Sequence, residues 1–95
     1  MSAAIIIGDE TVPRLRRGVK LRFDKHRDAW VVLAPERVFV PDSIALEILN
    51  RCDGQRSVAA IVQDLAAAFS APRDVIRNDV RALLQDLSEK GVITA

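Results

Sequence analysis

The sequence predicts an α+β fold, winged-helix-like, in which a three-stranded antiparallel sheet is followed by a three-helix bundle. Three observations carry this. The three strands of the meander precede residue 41, the helical periodicities all follow it, and short turn signals separate the segments. Strands segregated from helices define α+β rather than α/β. The chain of 95 residues suffices for one modest core. With 49% apolar residues and a net charge of +1 it is globular in composition, not disordered.

Residues 1–12 read as a flexible N-terminal arm, with Ile5–Ile7 either frayed or docking on a partner or a second copy. Residues 13–95 form the domain. From Val19 the pattern alternates: Val19, Leu21 and Phe23 face one way, Lys20, Arg22 and Asp24 the other, as in a half-buried strand. The polar turn Asp24–Asp28 leads to a second strand, Ala29–Ala34, apolar on both faces and so suited to the centre of the sheet. Pro35 presets a tight turn, and Arg37–Val40 returns as the third strand of a meander.

Asp42 or Ser43 can cap the first helix, whose apolar face is Ile44, Ala45, Ile48, Leu49 and Cys52, with Gly54 allowing a left-handed stop. Ser57 caps the second, with the stripe Val58, Ile61, Val62, Leu65 and Phe69. Pro72 suits the first turn of the third helix, where Asp74 favours the dipole. Ile76, Val80, Leu83 and Leu87 are its core stripe. Gly91 ends it, with Val92 packing back on Leu87 and Val92–Thr94 adding a short terminal strand.

Little chemistry is on offer. One cysteine excludes an intrachain disulfide and a four-thiolate metal site. No apolar run is long enough to span a bilayer, and Met1–Ile7 lacks the basic region of a secretion signal, so a soluble cytoplasmic protein is expected. His26 lies in a charged turn, where a solvated role is expected. Cys52 follows a helix C-terminus, whose partial negative charge disfavours thiolate, and reads as a small buried apolar residue. No nucleophile–base set or glycine-rich phosphate loop exists, and an enzyme needs convergent groups. The reading is therefore no enzyme, no metal and no cofactor.

Basic residues cluster around the first hairpin (Arg14, Arg16, Arg17, Lys20, Arg22, Lys25, Arg27) and along helix three. At about 100° per residue, Arg73, Arg77 and Arg81 share one flank beside Leu84, with Asp79 and Asp86 opposite. Such a row is either a solvated face or a binding rim. As a winged-helix DNA-binding protein the chain would lay helix three in the major groove. Against this, Asp74, Asp79, Asp86 and Glu89 on the same helix would cancel much of the attraction to phosphate. The other reading is peptide binding: a free sheet edge presents unpaired N–H and C=O groups that an extended peptide can join as an added strand.

The segments "VVLAPERVFVPDSIALEILNRCDG", "VAAIVQDL" and "DVRALLQDLSEKGVI" together resemble the PqqD family of pyrroloquinoline quinone (PQQ) biosynthesis, over about residues 13–94. The "CDG" after an apolar helix and the closing Leu84, Leu87, Lys90, Gly91 pattern carry most of the specificity. The resemblance implies a peptide chaperone, a RiPP recognition element of winged-helix fold. Such an element binds the ribosomally made precursor peptide PqqA and presents it to the radical SAM enzyme PqqE, which joins a Glu and a Tyr of the peptide. The family's groove lies between the third strand and the third helix. Carried onto this chain, it implies Arg37, Val38, Phe39 and Val40 with Arg73, Arg77, Arg81 and Leu84. One departure is Pro41, where the family commonly has a small polar residue. Proline lacks an N–H, which moves the cap to Asp42 and removes the last main-chain donor of the strand.

Overall fold

The structure, a computed structural model, describes residues 5–95. Its elements are β1 (Arg14–Leu15), β2 (Lys20–Asp24), β3 (Ala29–Ala34), β4 (Arg37–Phe39), α1 (Ser43–Asn50), α2 (Val58–Phe69), α3 (Arg73–Glu89) and β5 (Ile93–Thr94). The expected meander forms as the antiparallel sheet β2-β3-β4, followed by the three expected helices. Leu21 faces Val32, which faces Phe39, and these three turn to the core; Phe23 faces Trp30 at the far end of the hairpin. The terminal strand also forms. It pairs antiparallel with β1, a two-residue strand too short to leave a periodic trace in the sequence.

The hairpin turns because Asp24 accepts the His26 and Arg27 N–H groups through Oδ1, at 2.9 and 3.4 Å, while Asp28 takes a left-handed corner at φ +51°. Asp42, rather than Ser43, caps α1, accepting from Ala45 N at 2.8 Å. Ser57 caps α2 through Ala60 N at 3.1 Å. Past α3, Gly91 at φ +77° lets Val92 N–H reach the Leu87 carbonyl at 2.8 Å and Gly91 N–H reach that of Ser88 at 3.1 Å, the two bonds of a Schellman stop.

Several expectations need correction. Gly54 does not stop α1. The helix ends on Arg51 in right-handed geometry, and Gly54 serves the next turn, where its N–H donates to the Pro13 carbonyl. Pro72 precedes α3 as its N-cap instead of entering the first turn. Ile44 and Phe69, counted among core stripes, are 63% and 56% exposed, because each stands at a helix end beyond the reach of the opposing layer. Leu84, expected at the border of an exposed flank, is fully buried, in the same core cluster as Ile7 of the N-terminal segment, which bonds the neighbouring Gln85.

That segment is where the sequence reading and the structure part most. Residues 1–4 lie outside the described residues, but 5–12 run across α3 and α2, with Ile7 inside the core. The amide of Gln85 grips the extended chain at two points: Oε1 accepts from Ile7 N at 3.0 Å, and Nε2 donates to the Ile5 carbonyl at 2.8 Å. Ser88 Oγ, itself buried, accepts from Ile5 N at 3.0 Å. Further on, the carbonyls of Thr11 and Asp9 accept the Val58 and Ala59 N–H groups at 2.8 and 2.9 Å. With Ser57 holding Ala60 N, three of the four free donors at the α2 N-terminus are satisfied.

The core gathers Ile48 and Leu49 of α1, Val58, Ile61, Val62 and Leu65 of α2, Val80, Leu84 and Leu87 of α3, and Val92 and Ile93. Cys52 is buried among them as expected. An ion-pair node ties α1 to α2: Arg51 bonds Glu47 at 2.9 Å and also pairs with Asp64.

Candidate functional site

β4 is the edge of its sheet: it pairs with β3 on one side only. Its three residues are Arg37, Val38 and Phe39. Phe39 is half-buried against the core, while Val38 is 51% exposed and the following Val40 is 60% exposed. Pro35 and Pro41 bracket the strand. The predicted strand-side residues thus lie together, on an open edge.

The predicted helix-side residues do not join them. Arg77 donates to Asp9 through Nε at 2.9 Å and Nη2 at 2.8 Å. This fork holds the Asp9 carboxyl below the usual carboxylate range and raises the Arg77 guanidinium further. Arg73 and Arg77 line a shallow recess with Asp9, Ala59 and Val62, and Arg81 lines another with Ile7 and Gln85. The arginine flank of α3 therefore faces the N-terminal segment, and Leu84 beneath it is enclosed.

The opposite flank opens onto a recess of about 280 Å³ where α1, the end of α2 and the start of α3 converge. Ile44, Ile48, Leu65, Phe69, Ile76 and Val80 make its walls. Glu47 and Asp79 are its acids, with Ser43 beside them, and none of these lining residues is Lys or Arg. Glu47 is partly neutralised by Arg51, whereas Asp79 has no ion-pair partner among the described residues. The sequence did place Asp79 on the flank opposite the arginines. What it lacked was the direction that flank faces, which is set by where the N-terminal segment lies. Among the described residues no cluster of His, Cys, Asp and Glu is suited to hold a metal ion, and no helix is long and apolar enough to cross a membrane.

A small sheet whose β4 edge is open, set on a trihelical core that carries an apolar recess, has the architecture of a recognition domain. Comparison with known proteins makes the assignment specific. Residues 29–93 match the family described as Coenzyme PQQ synthesis protein D (PqqD), and the chain belongs to that family. It is 54% identical over 93 residues to the PqqA binding protein of Rhodopseudomonas palustris strain HaA2, covering 98% of this chain and 91% of that protein. Among solved structures it is similar to the PqqD truncation of Methylobacterium extorquens PqqCD, a functional, stand-alone RiPP recognition element, with TM-score 0.80, 39% identity, and 94% and 95% of the two chains covered. The lasso peptide synthetase B1, solved with its leader peptide, shares the fold at TM-score 0.76 and 22% identity, over 90% of this chain and all of that one.

Proposed function

We propose that this protein is a non-enzymatic, cytoplasmic peptide chaperone of PQQ biosynthesis, which binds the precursor peptide PqqA and presents it to the radical SAM enzyme PqqE. The peptide adds as a fourth strand along the edge of β4, pairing with the main chain of Arg37–Val40. The observation that carries this reading is the unpaired edge of β4 in a chain so close to proteins named for binding PqqA. Main-chain bonds give such a complex its affinity, and side-chain pockets give it selectivity. Arg37 and the exposed Val38 and Val40 border the added strand, and half-buried Phe39 fixes the edge to the core. On α3 the Ile76–Asp79 side continues the groove. The row Arg73, Arg77 and Arg81, first expected to form the rim, has the N-terminal segment beside it instead.

Amide spectra of labelled protein titrated with PqqA test the proposal. Shifts concentrated at Arg37–Val40 are expected. Unmoved signals there, or no binding at peptide concentrations on the order of 10⁻⁵ M, equivalent to about 7 kcal/mol of binding free energy, would count against it.

A further inference from the structure

The recess between α1, α2 and α3 has a definite chemical preference. Its walls are aliphatic and aromatic, while its charges are of one sign, Glu47 and Asp79. At about 280 Å³ it falls just under the roughly 300–1,000 Å³ of pockets that enclose drug-sized molecules. That scale suits one or two side chains. Its position matters as much: Ser43 and Ile44 line it, and only Val40–Asp42 separate them from the last residue of β4. At about 3.3 Å per extended residue, a peptide leaving the β4 edge reaches the recess within about four residues.

We infer that this recess is the selectivity subsite for the peptide, taking one bulky apolar side chain that has a Lys or Arg as a near neighbour in the peptide. The inference rests on the strand-addition reading and deepens it. The apolar side chain fills the space between Ile44, Phe69 and Ile76. The cationic neighbour lies over Asp79, the acid left without a partner among the described residues, with the half-neutralised Glu47 behind it. An acidic peptide residue at the same place would meet two carboxylates and no compensating cation from the lining. Selectivity here comes as much from repulsion as from attraction. This reverses the sign of charge that the arginine row of α3 suggested, because that row lies on the other side of the helix.

The test uses the full chain and synthetic PqqA. Asp79→Asn should weaken binding by about two- to fivefold, as loss of an exposed ion pair does, and the difference should shrink in high salt. Phe69→Ser, which removes an exposed wall, should weaken binding roughly tenfold while the melting temperature stays close to that of the parent. Asp86→Asn, on the same flank but outside the recess, should bind like the parent. The decisive arm is rescue. Each Lys or Arg of the peptide is replaced in turn by Glu. One such peptide should bind the parent poorly and recover on Asp79→Lys. If no replacement is rescued, if the peptide has no cation near a bulky apolar residue, or if Asp79→Asn and Phe69→Ser bind like the parent, the subsite is refuted while strand addition stands. Absence of binding by the parent protein would instead remove the underlying reading.

Discussion

Cys52 lies under the end of α1 with its Sγ 3.3 Å from the Ile48 carbonyl, and burial, helped by the Asp53 charge, pushes its thiol from 9.0 up to about 12. The folded state holds this proton more tightly than the unfolded chain. Its contribution to stability is therefore intact below pH 9 and is lost as pH rises toward 12. Native protein at pH 8 should react with a thiol reagent only as fast as it unfolds, and Cys52→Ala should lose stability less steeply than the parent above pH 9. Three carboxylates act at the other end of the scale. Asp9 is lowered by the hydrogen bond from Arg77, Asp64 by that from Arg51, and Asp53 by the Gln55 N–H, each from 3.8. A depressed carboxylate stabilises the fold above its unfolded value and ceases to as pH falls through its folded value. Denaturant midpoints should be level between about pH 5 and pH 9 and fall below about pH 4, less steeply in Asp9→Asn. Gly91 offers a test of backbone strain alone. A Cβ there would meet Arg16 Nη1 at an ordinary 3.8 Å, so Gly91→Ala should cost about 1–2 kcal/mol from the left-handed φ.

At the scale of elements, α3 shows what periodicity can and cannot convey. Its apolar stripe, its Schellman stop and the contact of Val92 with the core were legible, because each depends on side chains at fixed spacing. Which flank faces which neighbour was not, because a helical wheel carries no information about the rest of the fold. Leu84 sits beside the arginines on the wheel and reads as a border residue, yet it is wholly enclosed. Leu84→Ala should cost about 2–5 kcal/mol in denaturant unfolding and should alter peptide binding only through stability. The N-terminal segment was illegible for a related reason. It caps α2 with the main-chain carbonyls of Asp9 and Thr11, and a carbonyl cap has no residue signature. Ile7→Ala should cost on the order of 2–5 kcal/mol if the segment is as integral as its burial indicates; a frayed arm would lose almost nothing.

Across the whole molecule a net charge of +1 conceals a division. Cations gather on the β2–β3 hairpin and on the arm-facing flank of α3, while the only charged residues lining the apolar recess beyond β4 are acids. Composition predicted the near-neutral sum; the arrangement needed the fold. The edge of β4 was legible by contrast: a meander leaves its third strand on the outside, bracketed by Pro35 and Pro41, and the sheet order β2-β3-β4 agrees. Binding to the native state alone stabilises it by mass action, so PqqA at a hundred times its dissociation constant should add about 2.7 kcal/mol to unfolding, read from circular dichroism melts. Circular dichroism is preferred because of the Phe23–Trp30 pair. The rings meet edge to face at 5.8 Å on the hairpin, and Trp30, the single tryptophan, is already 42% exposed. Its emission should be red-shifted in the native protein and change little on denaturation. Left outside both the recess and the β4 edge, it is a built-in optical label for whatever macromolecule covers the basic hairpin, and quenching by iodide or acrylamide should fall when that happens.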